Sequence, residues 1–247
     1  MRKQKKYLTL LIIVIFLFFA INYYFIDNFL INFFTDTQTV EVERVIDGDT
    51  IVPKSKELQE SIRLLGINSP EKGEEYYKEA KSYLEQRIQN KSVRLEFGQE
   101  RYDKYNRLLA YIFLNNTNIN KELIEKGFAN YYFPSGRTPY YNEFKDAWEK
   151  CIESRKNLCK PSNHSCSNCI HTRITSQEEI YIENMCSDKC DLRKWTVKAE
   201  GRDVFELNSI LPKREKIIVD IEINDNQKDT IFLRDSNNLL VSWKEIE

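Results

Sequence analysis

The chain has 247 residues, enough for an N-terminal anchor and two small domains. Its formal net charge is -1, which excludes a global basic excess that would draw it to nucleic acid; any such attraction has to come from a local patch. Charged residues make up 30% of the chain and there are only 7 glycines, a composition that argues against disorder. The first predicted element follows Arg2, Lys3, Lys5 and Lys6 and is an uncharged stretch from Tyr7 to Ile26. About twenty helical residues span the roughly 30 Å of a bilayer core, so residues 1–36 read as a transmembrane helix with its juxtamembrane segment. Tyr23, Tyr24 and Phe25 suit an interfacial belt, and the basic flank orients the rest of the chain to the extracytoplasmic side of the cell membrane. The alternative is a cleaved signal peptide and a secreted protein, although Ala20 is the only small residue available near a cut.

From Val40 the pattern turns to strands. Val40-Val42 and Val45-Ile46 lead to a turn at Asp47-Gly48, and Thr50-Ile51-Val52 resumes beyond it. Ile62 to Ile67 is a dense apolar run suited to a central strand, Ser92 to Phe97 alternates, and Leu108 to Leu114 is a further strand. Helices intervene. Glu74 to Ile88 carries an apolar stripe of period 3.6, with acids in its first turn. Asn120 is placed to cap a short helix closed by Gly127, and Pro139 opens a third helix with Tyr141, Phe144, Trp148 and Cys151 on one face. Five strands with a helix between the third and fourth predict an OB-fold barrel with packed helices over residues 37–160, in an α+β chain. Residues 161–177 read as a Cys-containing linker. Residues 178–247 show β patterns alone and predict a small all-β antiparallel sandwich.

Three short segments concentrate chemistry suited to a phosphodiester. Asp47-Gly48-Asp49-Thr50 offers carboxylates on a tight turn; Arg63 and Glu71 bracket an apolar strand; Arg107 closes Arg101-Tyr102-Asp103-Lys104-Tyr105-Asn106-Arg107. Asp49 is a hard oxygen ligand for Ca²⁺ or Mg²⁺. Arg63 and Arg107 present planar forks that match phosphate, and Glu71 is suited to orient or deprotonate a water. Taken singly, each has an ordinary structural explanation: a turn, a half-buried ion pair, a helix start, a surface charge.

The order of these segments resembles the thermonuclease family, with its staphylococcal-nuclease-like fold, across roughly residues 39–159. The resemblance rests on Val45 to Thr50, Arg63 to Glu71 and Asp103 to Tyr111. It implies a metal-dependent endonuclease that uses Ca²⁺ on DNA and RNA, single-stranded or loosened, and leaves 3′-phosphate ends. It implies catalytic roles for Arg63, Glu71 and Arg107 and metal contacts for Asp49, Asn68 and the Ser69 carbonyl. Substrate contacts fall on Lys104 and Tyr105, and one of Tyr131, Tyr132 and Phe133, with Tyr132 chosen, stacks a base. Asn68 stands where the family has a second carboxylate, so one negative charge is missing. The other reading of the same fold is a binding module for protein or nucleic acid that has lost catalysis; the retained trio argues against it.

All six cysteines, Cys151, Cys159, Cys166, Cys169, Cys186 and Cys190, lie in the C-terminal part. An even number facing outward predicts disulfides, while Cys166-x2-Cys169 with Cys186-x3-Cys190 is also compatible with structural Zn²⁺. Residues 178–247 resemble a lamin-tail domain through Asp191-Leu192, Trp195 to Val197, Thr230 to Asp235 and Leu240 to Trp243, which implies a small all-β immunoglobulin-like sandwich and binding to a partner of unknown identity.

Overall fold

The computed structural model describes residues 36–133, 138–175, 179–199, 204–221 and 230–245. In chain order come β1 (Thr37–Val45), β2 (Thr50–Lys54), β3 (Ile62–Leu64), β4 (Ile67–Asn68), α1 (Tyr77–Ile88), β5 (Ser92–Tyr102), β6 (Leu108–Leu114), β7 (Thr117–Asn118), α2 (Ile119–Glu125), β8 (Asn130–Tyr131) and α3 (Tyr141–Ser154). The strands pair in the order β3-β2-β1-β5-β6, and β3 closes on β6 in parallel, giving a five-stranded OB-type barrel. Alternation drives this. Val40, Val42 and Val45 of β1 and Val93, Leu95 and Phe97 of β5 point inward, while β6 is apolar along most of its length because helices cover its outer side.

Several expectations are refined by tertiary contacts. The apolar run Ile62 to Ile67 is not one strand. Gly66 takes φ 74, the chain bends, and Ile67 and Asn68 leave the barrel to pair with Tyr131 and Asn130 of β8. The helix read from Glu74 begins at Tyr77, because Tyr76 at its N-cap is left-handed with φ 66. Asn118, not Asn120, caps α2, accepting from Lys121 N–H at 3.1 Å. Asn120 is fully buried instead: its Nδ2 donates to Leu65 O at 2.7 Å and its Oδ1 accepts from Ile112 N–H at 3.0 Å, stitching the bend after β3 to β6. Arg87 of α1 grips Glu122 of α2 with both sides of its fork, at 2.6 and 2.8 Å.

The remaining strands are β9 (Ile170–Ile174), β10 (Ile180–Asn184), β11 (Cys190–Asp191), β12 (Trp195–Ala199), β13 (Val204–Leu207), β14 (Ile210–Leu211), β15 (Lys216–Val219), β16 (Thr230–Arg234) and β17 (Leu240–Glu245). They form sheets β15-β10-β9, β13-β12-β16-β17 and β11-β14. Ile180, Ile182, Trp195, Val197, Ile231 and Leu233 share one core between the larger sheets. The stretch 161–177, expected as a linker, carries β9, which pairs with β10 because Ile170 and Thr172 face that core. Disulfides join Cys151–Cys159, Cys166–Cys190 and Cys169–Cys186. The four-thiolate zinc alternative therefore gives way, since zinc needs free thiolates and these sulfurs bind one another.

Barrel and sheets share apolar contacts within the unit Thr39–Glu247. Phe232 and Leu240 belong to the barrel's core, and Trp148 of α3 meets Phe232 and Trp243 edge-on at centroid distances of 5.4 and 6.3 Å. Above this, Glu245 accepts from Tyr131 and Tyr141 hydroxyls at 2.7 and 2.8 Å and from Lys145 at 2.6 Å. Among the described residues no helix is long and apolar enough to cross a membrane, and the anchor expected over Tyr7–Ile26 lies outside them.

Candidate active site

The site is built where the β1–β2 turn meets the bend after β3. Gly48 makes that meeting close: a Cβ there would stand 2.7 Å from Ser69 Cβ and 2.9 Å from Ala80 Cβ of α1. The turn thus rests directly on the segment that continues to Glu71. Asp49, only 4% exposed, points into the junction. Its Oδ2 accepts from Ser69 N–H at 2.7 Å, and its Oδ1 accepts from the Thr50 hydroxyl at 3.1 Å.

Arg63 reaches the same place from β3. Its Nη2 lies 3.1 Å from Asp49 Oδ2 and donates to Asn68 Oδ1 at 3.3 Å, while Nη1 donates to Leu64 O at 2.8 Å. Asp49, Arg63, Asn68 and Ser69 therefore converge. Asp47 stands beside them, its Oδ1 accepting from Asp49 N–H at 3.0 Å. Burial and the neighbouring Asp49 charge push Asp47 up to about 6. The carboxylates of Asp47 and Asp49 with the Asn68 amide oxygen form a hard-oxygen set, and a divalent cation would relieve the repulsion between the two carboxylates. The residues fit Ca²⁺ or Mg²⁺.

Arg107 enters from the strand next to β3. Arg63 is in register with Leu109, and Leu108 N–H donates to Ser61 O at 2.9 Å, so Arg107 sits at the edge of the same strand pair. Asp103 anchors it: Oδ2 accepts from Nε at 2.7 Å, and Oδ1 accepts from the backbone N–H of Arg107 and Tyr105 at 3.0 and 2.9 Å. Burial acts to raise Asp103, but these hydrogen bonds outweigh it and hold the carboxyl below the usual range. Tyr105 is 67% exposed, with Lys104 Nζ 5.0 Å and Arg107 Cζ 5.3 Å from its ring centre. Glu71 is exposed beyond Pro70. Of the three aromatics read as stacking candidates, Tyr131 and Phe133 are core residues, and Tyr132 is half-buried, tied by its N–H to Gly66 O at 2.8 Å.

The sequence profile of the Staphylococcal nuclease homologue family matches residues 61–160. The chain is 32% identical over 127 residues to the thermonuclease of Staphylococcus hyicus, covering 49% of this chain and 75% of that protein. The chain belongs to the staphylococcal nuclease family. The thermonuclease of Staphylococcus intermedius, another of this family's similar proteins, is 32% identical over 123 residues, covering 47% of this chain and 73% of its own. An uncharacterized endonuclease of Haemophilus influenzae is 31% identical over 107 residues, 43% of this chain and 59% of that protein.

Two contributors carry little or no motif signal in a chain of this family. Asp103 as the anchor of Arg107 leaves a trace, because an Asp opening a turn that ends in Arg is a recognisable side-chain-to-backbone pattern. Glu74, whose carboxylate accepts from the Glu71 backbone N–H at 2.8 Å, takes a partner that leaves none, since Lys198 lies 124 positions away.

Proposed function

We propose that the chain is a metal-assisted nuclease that hydrolyses phosphodiester bonds of DNA and RNA. The convergence of Asp49, Arg63 and Asn68 within hydrogen-bonding distance, in a chain of the staphylococcal nuclease family, carries this reading. Asp49, Asn68 Oδ1 and the Ser69 carbonyl would hold Ca²⁺, or Mg²⁺, which supplies positive charge beside a phosphate oxygen when bound. Arg63 and Arg107 bind the phosphate and gain strength as charge builds on its oxygens. Glu71 takes the proton of the attacking water. Lys104 and Tyr105 contact a terminal phosphate, Tyr132 is the base-stacking candidate, and cleavage expels the 5′ oxygen to leave 3′-phosphate ends.

The test is cleavage of plasmid, single-stranded DNA and RNA with Ca²⁺, Mg²⁺ or EDTA. Removing one charged donor or the base is expected to cost about 10²–10³ in rate, so Glu71→Gln and Arg63→Met should lose activity by that factor. Activity that survives both EDTA and Glu71→Gln sinks the mechanism. Absence of cleavage with any metal favours the alternative, a binding module of the same fold, which a mobility shift on single-stranded DNA would then display.

The basic residues before the apolar stretch Tyr7 to Ile26 support a single-pass anchor with the nuclease on the extracytoplasmic side. Three disulfides accord with an oxidising compartment. Retention in the membrane pellet after carbonate washing tests the anchor, and release into the medium would favour a cleaved signal. The C-terminal sheets, by their lamin-tail resemblance, are read as a binding surface for a further partner.

A further inference from the structure

We propose that Lys198, on β12 of the C-terminal sheets, is a positioning residue for Glu71. The inference rests on the nuclease reading above and extends it by giving the C-terminal region a part in the same site. Lys198 Nζ donates to Glu74 Oε1 at 2.9 Å and to Oε2 at 3.2 Å. Glu74 Oε2 in turn accepts from the Glu71 backbone N–H at 2.8 Å, and Glu74 N–H returns a bond to Glu71 O at 2.8 Å. One carboxylate therefore joins an ammonium on the sheet to the backbone of Glu71.

Three observations give this contact consequence. The Lys198 and Glu74 side chains are only 19% and 31% exposed, so the pair is screened less than an open surface pair. The segment it holds is conformationally demanding: Gly73 has φ 102, and Tyr76 has φ 66 despite its side chain. Left-handed backbone at a bulky residue persists only when its surroundings hold it. Third, Asn68, Ser69 and Pro70 line one cleft with Thr196, Lys198 and Arg234, so β12 and β16 stand against the run that leads into Glu71. The Glu71 side chain is exposed, which leaves its backbone as the means of aiming it. A base displaced by about 1 Å can cost about 10²-fold in rate.

The experiment uses the full-length chain, comparing wild type with Lys198→Met, Glu74→Gln and Lys198→Arg. It reads amide hydrogen exchange at Glu71 and the kinetics of single-stranded DNA cleavage with Ca²⁺. Expected are faster exchange at Glu71 and a fall in kcat of roughly 10–100-fold with KM unchanged for Lys198→Met and Glu74→Gln. The double variant should be no worse than either alone, and Lys198→Arg should restore both readouts. Unchanged exchange at Glu71 in Lys198→Met overturns the proposal, as does a loss carried by KM alone. If wild type cleaves nothing, the nuclease reading falls, and the exchange measurement decides the clasp by itself.

Discussion

Arg63 shows how a single side chain can serve two partners. Its fork rests on Asp49 Oδ2 and Asn68 Oδ1, oxygens of two residues proposed as cation ligands. If these residues hold a divalent ion as proposed, the ion would compete with the guanidinium, and Asn68 would weaken the ion's side of that competition because an amide brings no charge. Asn68→Asp adds a further full charge to the cluster that holds Asp47 and Asp49. It should tighten Ca²⁺ binding by roughly tenfold, since ligand charge count is a main determinant of Ca²⁺ affinity. Isothermal titration with Ca²⁺ measures this; unchanged affinity would remove Asn68 from the ligand set.

At the scale of elements, the decisive contact is the turn between β1 and β2 against α1. Gly48→Ala places a methyl within 2.7–2.9 Å of Ser69 and Ala80, and neither neighbour is a flexible chain end. Overpacking of this kind costs about 1–3 kcal/mol, which urea midpoints of the variant and wild type would register. A second element contact responds to acid. Burial acts to raise Glu245, but hydrogen bonds from Lys145, Tyr131 and Tyr141 prevail and hold it below its ordinary value of 4.5. A depressed folded value means that the stabilisation is complete above pH 4.5 and fades as pH falls through the folded value. Glu245→Gln should therefore lower the melting temperature at neutral pH and flatten its decline on acidification. An equal decline in both proteins would show that Glu245 is not the responsive group.

At the scale of the whole molecule, three disulfides close loops with separations of 8, 24 and 17 residues. Loops of about 15 residues are worth about 3 kcal/mol each in the chain-entropy picture. Reduction with dithiothreitol should lower the melting temperature measured by calorimetry, most strongly for the sheets that hold Cys166–Cys190 and Cys169–Cys186. The barrel was legible in the sequence because its information is local: alternation in Val93, Leu95 and Phe97, a turn at Asp47-Gly48, a helical stripe read from Glu74 to Ile88 that begins at Tyr77 in the structure. What eluded the sequence depends on distant partners. Glu74 has the composition of a first helical turn, yet it lies outside α1, with its carboxylate turned to Lys198. Asn120 has the character of a cap, yet buried carbonyl and amide groups of two strands claim it. Tyr131 and Phe133 sit where a base could stack, yet α3 covers them. The segments carrying Asp49, Arg63 and Arg107 were legible for the same local reason, whereas the turn of Arg63 toward Asn68 emerges only once β4 bends away to β8.

The indole of Trp148 carries a consequence for inheritance. Its ring is roofed by Phe232 and Trp243, which the chain supplies more than eighty positions later. A premature stop after Lys160 would spare every residue of the barrel's strands and still strip that roof, wetting an aromatic face meant to stay dry. Shortening to a bare barrel in one step is therefore expected to cost stability or solubility, unless the outer side of α3 is repainted with polar residues at the same time.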